Sequence, residues 1–209
     1  MSIPSDMLAQ FAKLSASTVY EGAGKLGDMA PSIRPLFEEA RLCGPAFTVK
    51  CFPGDLRAMM AAVDQAEPGD ILVIDGGGSD RVTTWGGAGT VAAAFRKLGG
   101  VVTNGSVRDA PQIRRLGFPV FCAGHTVRGG LRNHPGWTGL PVAVGDVVVR
   151  PGDLVLGDLD GVVVVARERL EEVLEKSLAR FRHEQEADRR LSEGVPYSVW
   201  TGVAPKPAD

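Results

Sequence analysis

The stretch WGGAGTVAAAFRKLGGVVTNGSVRD, Trp85 to Asp109, decides how this chain folds. Glycines open it, a run of small residues continues it, Gly100 to Thr103 forms a short apolar segment, and an Arg-Asp pair closes it. The small-residue run predicts a helix over about Thr90 to Leu98, and the apolar runs Ile71 to Ile74 and Gly100 to Thr103 on either side predict strands. A strand, a helix and a strand over this length imply parallel pairing through a right-handed crossover. Site residues then collect at the C-terminal ends of the strands. The turn at Gly86 and the amides of Gly87, Ala88 and Gly89 at the helix start suit an anion such as a carboxylate. Side chains of neighbouring residues in extended chain diverge, so Arg108 is expected to be free to bind an oxyanion and Asp109 a hard cation or its water. One carboxylate, several waters and a chelating substrate are enough to hold magnesium.

Outward from this stretch the pattern alternates. Ser5 to Leu14 reads as a helix, and Ser17-Thr18 with Glu21 reads as the capped start of a second short helix through Leu26. Ala46 to Lys50 is an expected strand, Leu56 to Ala66 a helix with one apolar face, and Pro119 to Cys122 another strand. Gly124 to Leu140 is a polar, glycine-rich excursion. Beyond it, Val142 to Val149 and Leu154 to Val165 are β-branched runs broken by Gly-Asp turns, which predicts antiparallel hairpins and a β-layer or partial barrel. A charged helix is expected from Arg167 to about Glu193, with Leu170, Val173, Leu174, Leu178 and Phe181 on one stripe, packed on its own core or on a neighbouring subunit.

Composition restricts the functional classes. The 209 residues are 44% hydrophobic and 23% charged, which fits one folded unit with a sizeable core. A net charge of −2 supplies no global basic field for nucleic acid. The N-terminus lacks the basic start and apolar run of a signal peptide, and no window reaches the ~18 apolar residues of a membrane span, so a cytoplasmic location is expected. Cys43, Cys51 and Cys122 are odd in number, widely spaced and set in apolar sequence, as reduced core thiols are. His125, His134 and His183 lack metal-ligand spacing. Asp75 ends its own strand and has a weaker claim to the pocket than Asp109. Arg128 and Arg132 read first as solvated loop arginines, with a distal substrate carboxylate as the alternative. Glu184 and Glu186 read as a solvated helix face, with entry into a neighbour's site as the alternative.

Several segments together carry a resemblance. Ser17-Thr18 with Glu21, GPAFTVKCFPGD, AEPGDILVIDGGG, WGGAG, LGGVVTNGSVRD, LGFPVF and VRPGDLVLGDLDGVVVV resemble the RraA-like family, in the family's order, over about Ser17 to Val165. That family includes 4-hydroxy-4-methyl-2-oxoglutarate aldolases with oxaloacetate decarboxylase activity, and regulators of ribonuclease activity. The resemblance implies an α/β fold of the swivelling β/β/α type, with a central mixed sheet or partial barrel, flanking helices and a C-terminal helix. It implies a single domain over 1–209, with its core at about 17–166 and the last helix at about 167–193, assembled as a homotrimer or hexamer.

The same resemblance implies the pattern Gly-x20-Arg-Asp, and twenty residues, Ala88 to Val107, separate Gly87 from Arg108. In the family's lyases the Arg orients a 2-keto acid and stabilises its enolate, the Asp anchors Mg²⁺ or Mn²⁺, and amides of the glycine turn bind the substrate carboxylate. Carried over, these roles fall to Arg108, to Asp109 and to Gly86, Gly87, Ala88 and Gly89. The expected activity is a metal-dependent (class II) aldolase or decarboxylase acting on a short 2-keto diacid. The alternative is a non-enzymatic regulator that binds a ribonuclease or another protein. Asp109 favours the lyase, because the regulators tend to lack this acid. Two positions depart from the characterised aldolases: Gly87 and Gln112 stand where acids are common.

Overall fold

The computed structural model describes residues 3–78 and 81–203. Two short helices open the chain, α1 (Ser5–Phe11) and α2 (Ala16–Gly22). The cap of α2 is Ser15 rather than the expected Ser17-Thr18 pair: the Ser15 hydroxyl accepts the Thr18 N–H at 3.1 Å, which places Thr18 inside the helix. A short β1 (Arg34–Pro35) leads to the long β2 (Leu42–Lys50), which begins four residues before the expected Ala46. Then α3 (Arg57–Gln65) and β3 (Ile71–Asp75) complete one crossover. Next come β4 (Thr83–Trp85), α4 (Gly87–Phe95) and β5 (Gly100–Thr103), followed by β6 (Ser106–Val107), α5 (Ala110–Leu116) and β7 (Val120–Cys122). The expected excursion holds only β8 (Gly124–His125) and β9 (Trp137–Thr138). Two antiparallel hairpins follow as expected, β10 (Val142–Val144) with β11 (Val147–Val149) and β12 (Leu154–Asp158) with β13 (Gly161–Val165). The last described elements are α6 (Leu170–Ser192) and a single turn of helix, α7 (Tyr197–Trp200).

The main sheet has the order β1-β7-β5-β3-β2-β12-β13, with β7, β5, β3 and β2 mutually parallel and the flanking strands antiparallel. At its far ends β1 comes to lie beside β13, so the mixed sheet nearly closes as a barrel. Strand periodicity sorts its side chains. Leu72, Ile74, Val101, Val120 and Cys122 point to the layer of α3, α4 and α5, while Val73, Val102, Phe121, Val155 and Val164 fill the inside. On the third side Leu154, Leu156, Val163 and Val165 meet α1, α2 and α6. Ile71 to Ile74 are wholly buried, each worth about 1.5–3 kcal/mol of transfer from water, which is why a parallel strand reads as an unbroken apolar run. The stripe on α6 packs on its own core through Leu170, Val173 and Leu174.

A second, smaller sheet does the positioning. β4, β6 and β8 pair in parallel, with Trp85 opposite Val107 and Val107 opposite His125. Each follows one of the parallel core strands β3, β5 and β7, so the chain segments leaving those strands are gathered into a three-stranded shelf. Gly105 makes the offset after β5 sterically feasible, because a Cβ there would lie 1.8 Å from Thr84 Oγ1. The residues just past this shelf are Gly86 and Arg108. No helix among the described residues is long and apolar enough to cross a membrane.

Candidate active site

Helix α4 starts at Gly87, three residues before the expected Thr90, with Gly86 as its N-cap and no side chain capping it. Its first turn rests on Trp85, whose ring is fully buried. The indole Nε1 donates to Thr90 Oγ1 at 2.8 Å, and that hydroxyl donates to the Gly86 carbonyl at 3.1 Å. Gly89 lies flat on the indole, where a Cβ would sit 3.3 Å from the ring, and Phe118 stacks on the indole at 6.4 Å. These contacts fix the direction in which the amides of the first turn point.

Arg108 and Asp109 follow β6. Asp109 is the N-cap of α5 and adopts a left-handed conformation with φ 62°, which an aspartate tolerates better than most residues. This turn swings its carboxylate back to α4: Oδ2 accepts the Gly87 N–H at 3.0 Å and lies 3.6 Å from Arg108 Nε. The expectation of diverging side chains is therefore corrected, since it assumed extended backbone at Asp109. The expectation of three open amides is corrected with it. Gly87 N–H is taken by Asp109, and the Ala88 and Gly89 amides are left for an anion. Both side chains remain open to solvent, at 43% and 44% exposure.

The two departures Gly87 and Gln112 meet in space. A Cβ on Gly87 would lie 2.2 Å from Gln112 Oε1 and 2.7 Å from its Cδ, so the Gln112 side chain occupies the room that a larger residue at 87 would need. Gly86 to Gly89, Arg108, Asp109 and Arg132 line one hollow, whose far wall is Leu56, Met59 and Met60. Arg108 and Asp109 also line a second and larger hollow, of about 540 Å³ against about 50 Å³, together with Ala110 and the His125–Val127 segment. Arg132 is solvent-exposed, as expected of a loop arginine, and also lines the rim of this hollow. Arg128 does not line this hollow.

Asp75 does not line it either. It is 5% exposed, bonded to Lys50 Nζ through Oδ2, and accepts Asn104 Nδ2 at 3.0 Å and the Gly77 N–H at 2.9 Å. Burial pushes its carboxyl upward, but these hydrogen bonds outweigh that and hold it below the ordinary carboxylate range. The cluster ties together the ends of β2, β3 and the turn after β5. Burial pushes the Cys51 and Cys122 thiols up to about 11 and Cys43 up to about 12, which keeps all three protonated and inert. His134 packs tilted against Phe52 at 4.6 Å and His183 stacks on Trp200 at 5.1 Å, while His125 borders the second hollow. Glu184 accepts from Thr18 and Arg180, and Glu186 pairs with Arg189 and Arg190, all within the same chain.

Among the described residues no group of three or more His, Cys, Asp or Glu side chains converges as a metal cage. Asp109 offers a different donor set. Its Oδ2 is engaged by Gly87, whereas its Oδ1 has no protein hydrogen bond among the described residues and the side chain faces solvent. That fits a hydrated divalent cation held by one carboxylate, by water and by substrate.

Comparison with known proteins identifies the family. A protein of Halalkalibacterium halodurans named "Putative 4-hydroxy-4-methyl-2-oxoglutarate aldolase" is 32% identical over 190 residues, covering 91% of this chain and 90% of that protein. The crystal structure of Streptomyces coelicolor RraAS2, described as an unusual member of the RNase ES inhibitor RraA protein family, is 28% identical. It superposes with a TM-score of 0.81 over 90% of this chain and 98% of its own. An uncharacterized protein from Pseudomonas syringae pv. tomato has the same fold, with a TM-score of 0.84 at 23% identity over 96% of this chain and 99% of its own. The family model for RraA-like proteins (Aldolase/RraA) matches residues 16–164, a span that contains the glycine turn, the Arg-Asp pair and Arg132. The chain belongs to the RraA-like family.

Proposed function

We propose that this protein is a divalent-metal-dependent lyase that cleaves the C3–C4 bond of a short 2-keto diacid through a pyruvate enolate. One observation carries the reading: Arg108, the Asp109 carboxylate and the two remaining amides of the α4 N-terminus converge on one hollow. Asp109 would hold Mg²⁺ or Mn²⁺, and when bound the ion supplies Lewis-acid polarisation of the keto group. The Ala88 and Gly89 amides bind the carboxylate beside the keto carbon, helped by the positive end of the helix. As C3–C4 breaks, its electron pair moves into the C2–C3 bond and negative charge grows on the keto oxygen. The Arg108 guanidinium donates to that oxygen. Water then delivers a proton to C3.

A preorganised donor of this kind is typically worth ~3 kcal/mol, so Arg108→Ala should lower turnover by about a hundredfold or more. The test incubates the protein with oxaloacetate and Mg²⁺ and couples pyruvate release to lactate dehydrogenase, then repeats it with a chelator and with Asp109→Ala. Rates no higher than the metal-only background for wild type and Asp109→Ala alike would sink the lyase reading. Capture of a ribonuclease by that inactive protein would then favour the regulator reading, which the likeness to RraAS2 supports. The homotrimer or hexamer expected from the resemblance, and a cytoplasmic location, belong to the same proposal. Phe95 (87% exposed) and Val127 (95%) supply apolar surface for subunit contact, and sedimentation velocity checks it.

A further inference from the structure

The loop between β8 and β9 is fastened far more firmly than its exposure implies. Leu131 exchanges backbone hydrogen bonds with the 54–56 turn: Leu131 N–H donates to the Gly54 carbonyl at 2.8 Å, and Leu56 N–H to the Leu131 carbonyl at 2.9 Å. Buried Asp55 then accepts the N–H groups of Asn133 at 2.7 Å and His134 at 3.1 Å through one oxygen, and the Arg57 N–H at 2.9 Å through the other. Gly130 permits the close approach, since a Cβ there would lie 2.9 Å from the Gly54 carbonyl oxygen. Gly129 lies against Arg108, with its Cβ position 3.1 Å from Nη1. Every one of these contacts sits within a few residues of Arg132. That arginine is exposed at the rim of the hollow it lines with Arg108 and Asp109, and none of the ion pairs among the described residues involves it.

We infer that Arg132, mounted on the loop that Asp55 clamps, binds the distal carboxylate of the substrate and so favours aldol cleavage of a 4-hydroxy-2-oxo diacid over decarboxylation, which remains the slower but measurable reaction of the same site. The inference rests on the lyase reading and sharpens its substrate class. The chemistry of the leaving group decides between the two reactions. In oxaloacetate the distal carboxylate departs as neutral CO₂, so a guanidinium paired to it stabilises the ground state and opposes the loss of charge. In a 4-hydroxy-2-oxo diacid, the C4 hydroxyl gives its proton to water as C4 becomes a carbonyl, the C3–C4 electron pair passes to the enolate, and water returns a proton to C3. The distal carboxylate keeps its charge throughout and leaves on a 2-oxo acid. A fixed cation therefore helps the aldol route at every stage. Asp55 acts through the loop and is a positioning residue.

The experiment measures three reactions of the full chain with Mg²⁺: cleavage of 4-hydroxy-2-oxoglutarate, decarboxylation of oxaloacetate, and exchange of the pyruvate methyl protons with deuterium, which needs no distal carboxylate. In Arg132→Met, kcat/KM for cleavage should fall about 30-fold relative to that for exchange, as expected for loss of a charged hydrogen-bond donor, with the larger part in KM. The ratio of decarboxylation to cleavage should rise. Arg132→Lys should recover part of the loss. Asp55→Ala should raise the cleavage KM with Arg132 still present, and a thermal melt of each variant confirms that it is folded. Unaltered ratios in folded Arg132→Met overturn this inference alone. A wild-type protein that exchanges no pyruvate protons above the metal background overturns the lyase reading and the inference together.

Discussion

Gly87 and Gln112 are predicted to behave as one unit, and a double-mutant cycle measures it. Gly87 has helical backbone, so Gly87→Ala meets no conformational strain, and by helix propensity it should stabilise by about 0.5 kcal/mol or more. Against this, the new Cβ lies 2.2 Å from Gln112 Oε1, about 1 Å inside ordinary contact. The Gln112 amide must swing away, at about 0.5–1.5 kcal/mol for a displaced rotamer, and Asp109 Cβ at 3.2 Å must yield slightly. Gly87→Ala alone is then near neutral or mildly destabilising. With Gln112→Ala present the obstruction is gone and the propensity gain appears, which gives a coupling of about 1 kcal/mol. Urea unfolding at constant m reads the four stabilities. Additivity within about 0.3 kcal/mol would refute the claim that Gln112 fills the space over Gly87.

Other expectations follow from the same contacts. Asp109→Asn keeps an oxygen for the Gly87 N–H and should hold stability within about 0.5 kcal/mol, whereas Asp109→Ala loses that hydrogen bond and about 1 kcal/mol. Both should weaken Mn²⁺ binding followed by electron paramagnetic resonance, and a tight site in either variant removes Asp109 as the metal ligand. Burial raises the Asp55 carboxyl, but the N–H groups of Arg57, Asn133 and His134 outweigh it and bring the net value below 3.8, so its ionised form favours the folded state. That contribution is complete above pH 3.8 and is lost as pH falls through the lower folded value. Asp70 and Asp153 are shifted upward by burial and act in the opposite sense, so the difference between wild type and Asp55→Asn isolates the clamp. Thermal melts should converge below pH 4, and parallel profiles contradict the assignment. Gly105→Ala should cost about 2 kcal/mol or more in chemical denaturation, because its Cβ position overlaps Thr84 Oγ1.

The parallel core was legible because Ile71 to Ile74 and Gly100 to Thr103 are buried on both faces and so appear as continuous apolar runs. The hairpins were legible from their Gly-Asp turns. The first half of β2 was hidden by Gly44 and Pro45, which read as breakers. Gly44 is there because the Gly69 carbonyl oxygen lies 2.4 Å from where its Cβ would be. The first turn of α4 was hidden in the same way, since glycines at 87 and 89 have low helix propensity yet serve close packing against Gln112 and Trp85. The shelf of β4, β6 and β8 consists of strands of two or three residues, too short for any period to emerge. The left-handed turn at Asp109 and the clamp on the Arg132 loop have no local signal either. The second depends on Asp55, 78 residues before Asn133 and known in the sequence only as the end of a Pro-Gly-Asp turn.

The electrostatics of the site oppose those of the whole chain. Net charge is −2, yet the hollow gathers two guanidinium groups, one carboxylate and the positive end of α4. The Asp109 charge is partly spent within the site, on the Gly87 amide and near Arg108, so it offsets one cation and leaves Arg132 and the Ala88 and Gly89 amides seeking anions. These two demands come from separate elements, the start of α4 and the Asp55-clamped loop, and the hollow lies between them. A monocarboxylate satisfies one of them, whereas a diacid satisfies both. On the proposed reading, preference for a dianion would follow from where these two elements face each other, with local field rather than overall charge setting what this surface attracts.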